Sequence, residues 1–86
     1  MQTAWSIDLA FTEDAKETRA VVAVELRGEQ FTGEGGARRN PDDPNVPVVG
    51  EELATARALS DLSHKLLDGA AKRIEEFDGH PVSLAR

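Results

Sequence analysis

Residues 18–39 read TRAVVAVELRGEQFTGEGGARR, and this stretch decides the fold. Ala20, Val22, Val24 and Leu26 fall on one side of a period-two alternation, with Arg19, Val21, Ala23, Glu25 and Arg27 on the other. The density of β-branched residues favours a strand over a helix. Val21 and Ala23 make even the second side apolar near its middle, as expected of a central strand. Gly28 and Glu29 then read as a two-residue hairpin loop with Gly first. The returning strand places Phe31, Gly33, Gly35 and Ala37 on the inward side and Thr32, Glu34 and Gly36 on the outward side. Three glycines within four positions leave little side chain to pack. They indicate a bulge, a close approach of a helix backbone, or a slot for another chain.

Working upstream, WSIDLAF (5–11) alternates Trp5, Ile7, Leu9 and Phe11 with Ser6, Asp8 and Ala10, the pattern of a half-buried strand. The polar stretch 12–17 reads as its connection to the next strand. The three strands are placed at about 3–12, 18–27 and 30–39. Downstream, three prolines and two aspartates crowd into positions 41–47 and can continue neither element, so 40–50 reads as a crossover. From Glu51 the period changes. Leu53, Ala56, Leu59, Leu62, Leu66, Ala70, Ile74 and Phe77 recur at three- and four-residue spacing, which predicts a helix over 51–78 with these residues facing the sheet. Glu51 and Glu52 fall in its first turn, where the helix dipole favours acids, and Gly79 with Pro81 marks the stop. Gly69 signals a kink, a close crossing, or a boundary between two helices.

The expected fold is therefore α+β, a three-stranded antiparallel sheet packed on one long C-terminal helix. A helix of roughly 27 residues is about 40 Å long, against about 24 Å for a sheet of seven-residue strands. One end must overhang. Leu66, Leu67, Ile74 and Phe77 would then expose apolar surface unless a partner chain or the HPVSLAR tail covers them. Length points the same way. A chain of 86 residues makes one domain that buries only about 60–65% of its unfolded surface, and small domains without disulfides or metals often gain stability from an oligomeric interface. A homodimer is the expectation.

Composition narrows the setting. The longest apolar run, 20–24, is far below the roughly 18 residues of a membrane span, and the N-terminus lacks a basic region followed by an apolar core. These features, with zero cysteines, suggest the cytoplasm. The net charge of −6 lacks the basic excess that drives phosphate-backbone binding, so any nucleic-acid contact needs a local patch. Arg38 and Arg39, with Arg19 and Arg27, supply the candidate: Arg19, Arg27 and Arg38 share the outward parity and would line one exposed sheet face, among Glu25 and Glu34.

The sequence points to no catalytic residues, cofactor or small-molecule substrate. Asp61, His64 and Asp68 share a helical side, but three such residues at helical spacing read as a solvated face rather than a metal site. Ser6, Ser60, Ser63 and Ser83 lie in no nucleophile elbow. GEGGARR lacks the helix and the Lys that follow the glycines of a phosphate-cradling loop. Asp42 and Asp43 sit where Asp caps turns, and His80 lies beyond the helix stop.

The segment ARRNPDDPNVPVVGEELATARALSDL (37–62), with WSIDLAF upstream, resembles a short actinobacterial family of unknown function. Its pattern is Asn-Pro-x-Asp-x-Asn-Val-Pro followed by Gly-x-Glu-Leu-x-x-Ala-Arg-Ala-Leu-x-Asp-Leu. The matching residues include Asn40, Pro41, Asp43, Asn45, Val46, Pro47, Gly50, Glu52, Leu53, Ala56, Arg57, Ala58, Leu59, Asp61 and Leu62. The resemblance implies a fold like that of double-stranded-RNA-binding domains and an intertwined dimer. Some members are associated with mycobacterial dormancy and have a likeness to ribosome hibernation factors, so it also implies a stress-associated contact with the ribosome or RNA. It transfers no catalytic residues. Turn capping for the Asn and Asp residues, and a helix-to-loop ion pair for Arg57, would make the motif structural. The alternative function is a protein-interaction or regulatory module that binds no nucleic acid.

Overall fold

The computed structural model describes residues 2–42, 44 and 46–79. Three strands, β1 (Ile7–Glu13), β2 (Glu17–Leu26) and β3 (Glu29–Arg38), are followed by one helix, α1 (Pro47–Asp78). The strands form an antiparallel sheet in the order β1-β2-β3. The helix lies against β3 and β2 on one face of it, the α+β architecture expected.

The alternation in β2 does what its periodicity requires. Thr18, Ala20, Val22 and Val24 are buried beneath the helix, and they pair with Ala37, Gly35, Gly33 and Phe31 of β3. The hairpin turn sits one residue earlier than the sequence suggested. Leu26 pairs with Glu29, so the loop is Arg27 and Gly28, with φ of 52° and 81°. Two successive left-handed residues are what a primed turn needs to match strand twist. β1 begins at Ile7 rather than near residue 3 and runs on to Glu13. Its loop to β2 is closed by Asp14, whose carboxylate accepts from the Lys16 and Glu17 amides at 2.7 and 2.8 Å.

The helix also starts earlier than expected, at Pro47. Proline at the first helical position loses no bond, because that N–H is unpaired in any helix and the ring fixes a helical φ. Glu51 and Glu52 therefore lie beyond the first turn, which carries no acid. The end is as read: Gly79 takes φ 71° and donates its N–H to the Glu75 carbonyl at 2.7 Å. Helix α1 continues through Gly69, where an added Cβ would sit 3.2 Å from the Phe31 ring. The glycine marks no boundary between two helices, and the close neighbour it admits is a β3 side chain rather than a crossing helix.

The sheet-facing stripe differs most from the sequence expectation. Ala54, Ala58 and Leu62 are the buried helix residues, with Leu66 packed against them, whereas Leu53, Leu59, Ile74 and Phe77 are exposed. The reason lies in β3. A Cβ at Gly33 would stand 2.3 Å from the Ala58 carbonyl oxygen, and one at Gly35 would stand 2.4 Å from the Ala58 amide nitrogen. Glycine on the strand and alanine on the helix let the two backbones nearly touch, which leaves room for no larger stripe.

Candidate functional site

The two edges of the sheet are treated differently. Along the outer edge of β3, three side chains of α1 spaced four residues apart satisfy the strand backbone. Arg57 donates to the Gly36 carbonyl at 2.7 Å, Asp61 accepts from the Glu34 amide at 2.9 Å, and Lys65 donates to the Thr32 carbonyl at 2.8 Å. This edge is closed to another strand. Arg57 thus bonds a strand carbonyl rather than forming the helix-to-loop ion pair expected, and Asp61 holds the strand rather than capping a turn. The bond from the Glu34 amide, with that from Lys65, keeps the Asp61 carboxyl below its ordinary pKa. The Asp61 carboxylate is thus held against the edge of β3.

At the other edge, β1 has no neighbour among the described residues. The three capping bonds also fix which of its backbone groups are open. Thr32, Glu34 and Gly36 point outward from β3, so the odd residues of β3 bond the even residues of β2, and the odd residues of β2 bond Asp8, Ala10 and Thr12 of β1. The N–H and C=O groups of Ile7, Leu9 and Phe11 are left facing outward.

The side chains of the same three residues stand on the helix side of the sheet, since they pair with Val24, Val22 and Ala20. Helix α1 does not reach them. Trp5 is 66% exposed, Ile7 52%, Leu9 44% and Phe11 41%. Because Arg57, Asp61 and Lys65 turn toward β3, helical geometry places Leu59, Leu66 and Ala70 on the opposite flank, toward β1. Trp5 shares a cleft with Leu66, Gly69 and Ala70. Beyond the hairpin, where Arg73 pairs with Glu29, Ile74 is exposed and Phe77 is 89% exposed. This is the overhang foreseen from length, although Leu66 and Leu67 are half-buried. The sequence reading foresaw the exposure of Ile74 and Phe77 at the overhang but placed Trp5, Ile7, Leu9, Phe11 and Leu59 on inward faces; the glycine pairing that turns the helix away from them was the missing signal.

The four arginines do not converge. Arg19 lies on the sheet face away from the helix, over Gly36, and Arg38 shares its parity. Arg27 sits in the hairpin turn and borders the Trp5 cleft on the helix side, not the outer sheet face. It is about 30 Å along the strands from Arg38. Arg39 donates its side-chain Nε to the Ala15 carbonyl at 3.3 Å.

A cavity of about 230 Å³ opens at that end of the sheet, lined by Lys16, Arg38 and Arg39, by Asp14 and Glu17, and by Pro47 and Gly50 of the helix start. The Lys16 and Glu17 amides hold the Asp14 carboxyl below its ordinary pKa. Within the motif, Asn40 accepts from the Asp42 amide at 3.1 Å, a turn-capping role. Gly50 faces the buried Thr18, whose Oγ1 would lie 2.9 Å from an added Cβ. Pro41 lies in the same turn and Glu52 on the exposed side of α1. Asp43, Asn45 and His80 lie outside the described residues. No helix among those described is long and apolar enough to cross a membrane.

The uncharacterised protein Mb1767 of Mycobacterium bovis is 40% identical over 80 residues, 93% of this chain and 85% of that one. The uncharacterised protein Rv2632c of Mycobacterium tuberculosis is 40% identical over 77 residues, 90% and 83% of the two. The crystal structure of Rv2632c superposes with a TM-score of 0.86 at 37% identity, covering 94% of this chain and 96% of that one. The sequence pattern of the Rv2632c-like family matches residues 3–83.

Proposed function

We infer that this chain, which belongs to the Rv2632c-like family, is a cytoplasmic protein-interaction module that acts by binding and carries out no reaction of its own. The observation that carries this reading is the contrast between the two sheet edges. β3 is sealed by three helix side chains, while β1 combines open backbone groups with the exposed row Ile7, Leu9 and Phe11. Folded proteins generally blunt such an edge with charge, proline or a covering segment. An edge that is instead apolar and continuous with an apolar helix flank marks a surface made to be covered.

A stress- or dormancy-associated contact with the ribosome or RNA is the second reading. It draws on the β-β-β-α order and on one observation, that Lys16, Arg38 and Arg39 border a common cavity beside the helix start. Asp14 and Glu17 share that cavity, and Arg19 and Arg27 lie elsewhere, which makes the basic footprint small. The two readings separate by photo-crosslinking in cells, with the reactive residue placed at Leu59 or at Arg38. The interaction module predicts protein adducts from Leu59 and none with RNA from Arg38. RNA adducts from Arg38, with no protein adduct from Leu59, would overturn it.

A further inference from the structure

We propose that the cavity at the start of α1 binds a small oxyanion, free phosphate or the phosphate group of a compact monoester, through the Thr18 hydroxyl, the helix N-terminus and the Lys16 and Arg38 cations. The site is independent of the interaction reading. It lies at the end of the sheet away from the Trp5 cleft and shares no residue with the open edge of β1.

Thr18 carries the argument. It stands on the helix side of β2 opposite Ala37 and is only 8% exposed. No hydrogen bond links its hydroxyl to any group among the described residues, and no side-chain oxygen sealed from solvent among them lacks a partner. The hydroxyl therefore opens into the cavity that Thr18 lines. A buried hydroxyl without a partner costs stability, whereas Val would fill nearly the same shape without that cost. Gly50 keeps the hydroxyl within reach. A Cβ there would lie 2.9 Å from Oγ1, and glycine leaves the oxygen uncovered on that side.

The helix start supplies the second element. Val46 offers no side-chain cap and the first turn holds no acid, so nothing within that turn offsets the positive end of a 32-residue helix. Val46, Pro47, Val49 and Gly50 all line the cavity, and helix N-termini of this kind attract oxyanions. The rim adds charge. Among the described residues, Lys16, Arg38 and Arg39 border the cavity against Asp14 and Glu17, a local positive surplus in a chain of net charge −6. The Asp14 carboxylate is already engaged by two loop amides at 2.7 and 2.8 Å.

Size and lining narrow the ligand. At about 230 Å³ the cavity is smaller than the roughly 300–1,000 Å³ of drug-sized sites, and Ala37, Pro47 and Leu53 give it an apolar wall. A phosphate or a compact monoester suits it. A nucleic-acid backbone, which is held by a track of cations, does not.

The probes are inorganic phosphate and phenyl phosphate, titrated into the native chain against sodium chloride of equal ionic strength, with the Thr18, Val49 and Gly50 amides followed by nuclear magnetic resonance. Those signals should shift saturably, half-saturating at about 1 mM or below. Tighter binding of inorganic phosphate would assign the free anion, and tighter binding of phenyl phosphate a monoester whose body rests on the apolar wall. Thr18→Val should keep or raise the urea midpoint while weakening phosphate binding at least fivefold. The exposed pair Lys16→Gln and Arg38→Gln, combined, should weaken it at least tenfold with an unchanged far-ultraviolet spectrum. Shifts that chloride reproduces would overturn the proposal. Phosphate binding that Thr18→Val leaves unchanged would overturn it as well, by placing the anion on the surface charges alone.

Discussion

Gly33 and Gly35 govern this molecule at the scale of single residues. Each faces the helix backbone at a distance no side chain can share, under 2.5 Å from an Ala58 backbone atom to an added Cβ. A methyl group there must push the helix off the sheet or bend the strand. Gly33→Ala should cost about 1–3 kcal/mol or more, the range for overpacked cores, read as a lower midpoint in urea denaturation. Gly36 faces the other way, with only the tip of Arg19 3.4 Å from an added Cβ. Gly36→Ala should therefore change stability by less than about 0.5 kcal/mol. The glycines were conspicuous in the sequence, and close approach of the helix was one of three readings open for them. Choosing among the three required knowing which helix residues lie opposite.

Asp61 makes a prediction about pH at the same scale. Its folded pKa is depressed, first by the Glu34 amide and then by Lys65. A depressed carboxylate contributes stability that is full above its ordinary value of 3.8 and is lost as pH falls through the lower, folded value. The sign is therefore destabilisation by acid. Asp61→Asn removes the titrating group and keeps an oxygen for the Glu34 amide. Its urea midpoint should fall less between pH 5 and pH 2 than that of the native chain, with the remaining dependence coming from Asp14 and other carboxylates. Equal slopes for the two proteins would contradict this role.

Among elements, the sheet edges show what a sequence reveals and what it conceals. The strands were legible because period-two alternation is a local signal: Ala20, Val22 and Val24 are where parity put them. The helix was legible in extent but not in orientation. Its large apolar residues form the stronger periodic pattern, yet Ala54 and Ala58 face the sheet, because contact distance is set by the glycines of another element. The Arg57, Asp61 and Lys65 ladder was visible only as charges at four-residue spacing, which also describes a solvated face. In hydrogen exchange monitored by nuclear magnetic resonance, Asp61→Ala should accelerate the Glu34 amide far more than the Gly33 and Gly35 amides, which bond β2. Uniform acceleration along β3 would mean that Asp61 acts on the whole strand rather than on one edge bond.

For the whole molecule, the consequence is an imbalance. The helix, 32 residues and about 48 Å long, covers β2 and β3, overhangs the hairpin at Ile74 and Phe77, and leaves β1 uncovered among the described residues, in a body of 53 × 29 × 18 Å. Length alone foretold the overhang. The bare strand was not foreseen, because Ile7, Leu9 and Phe11 carry the same alternation as a strand beneath a helix, and only the helix position distinguishes the two cases. Phe77→Ser should accordingly leave the denaturation midpoint of the folded chain within about 0.5 kcal/mol, as expected for a surface position. A drop of several times that size would mean the overhang already packs against its own chain.

The open edge of β1 is the feature on which the functional reading turns, and amide exchange in the dilute, purified chain tests it most directly. Asp8, Ala10 and Thr12 bond β2 and should exchange slowly, whereas Ile7, Leu9 and Phe11, whose amides face outward, should exchange far faster. If those three amides are protected as well as their even-numbered neighbours under dilute conditions, the edge is closed within the chain and is not the surface offered to a partner.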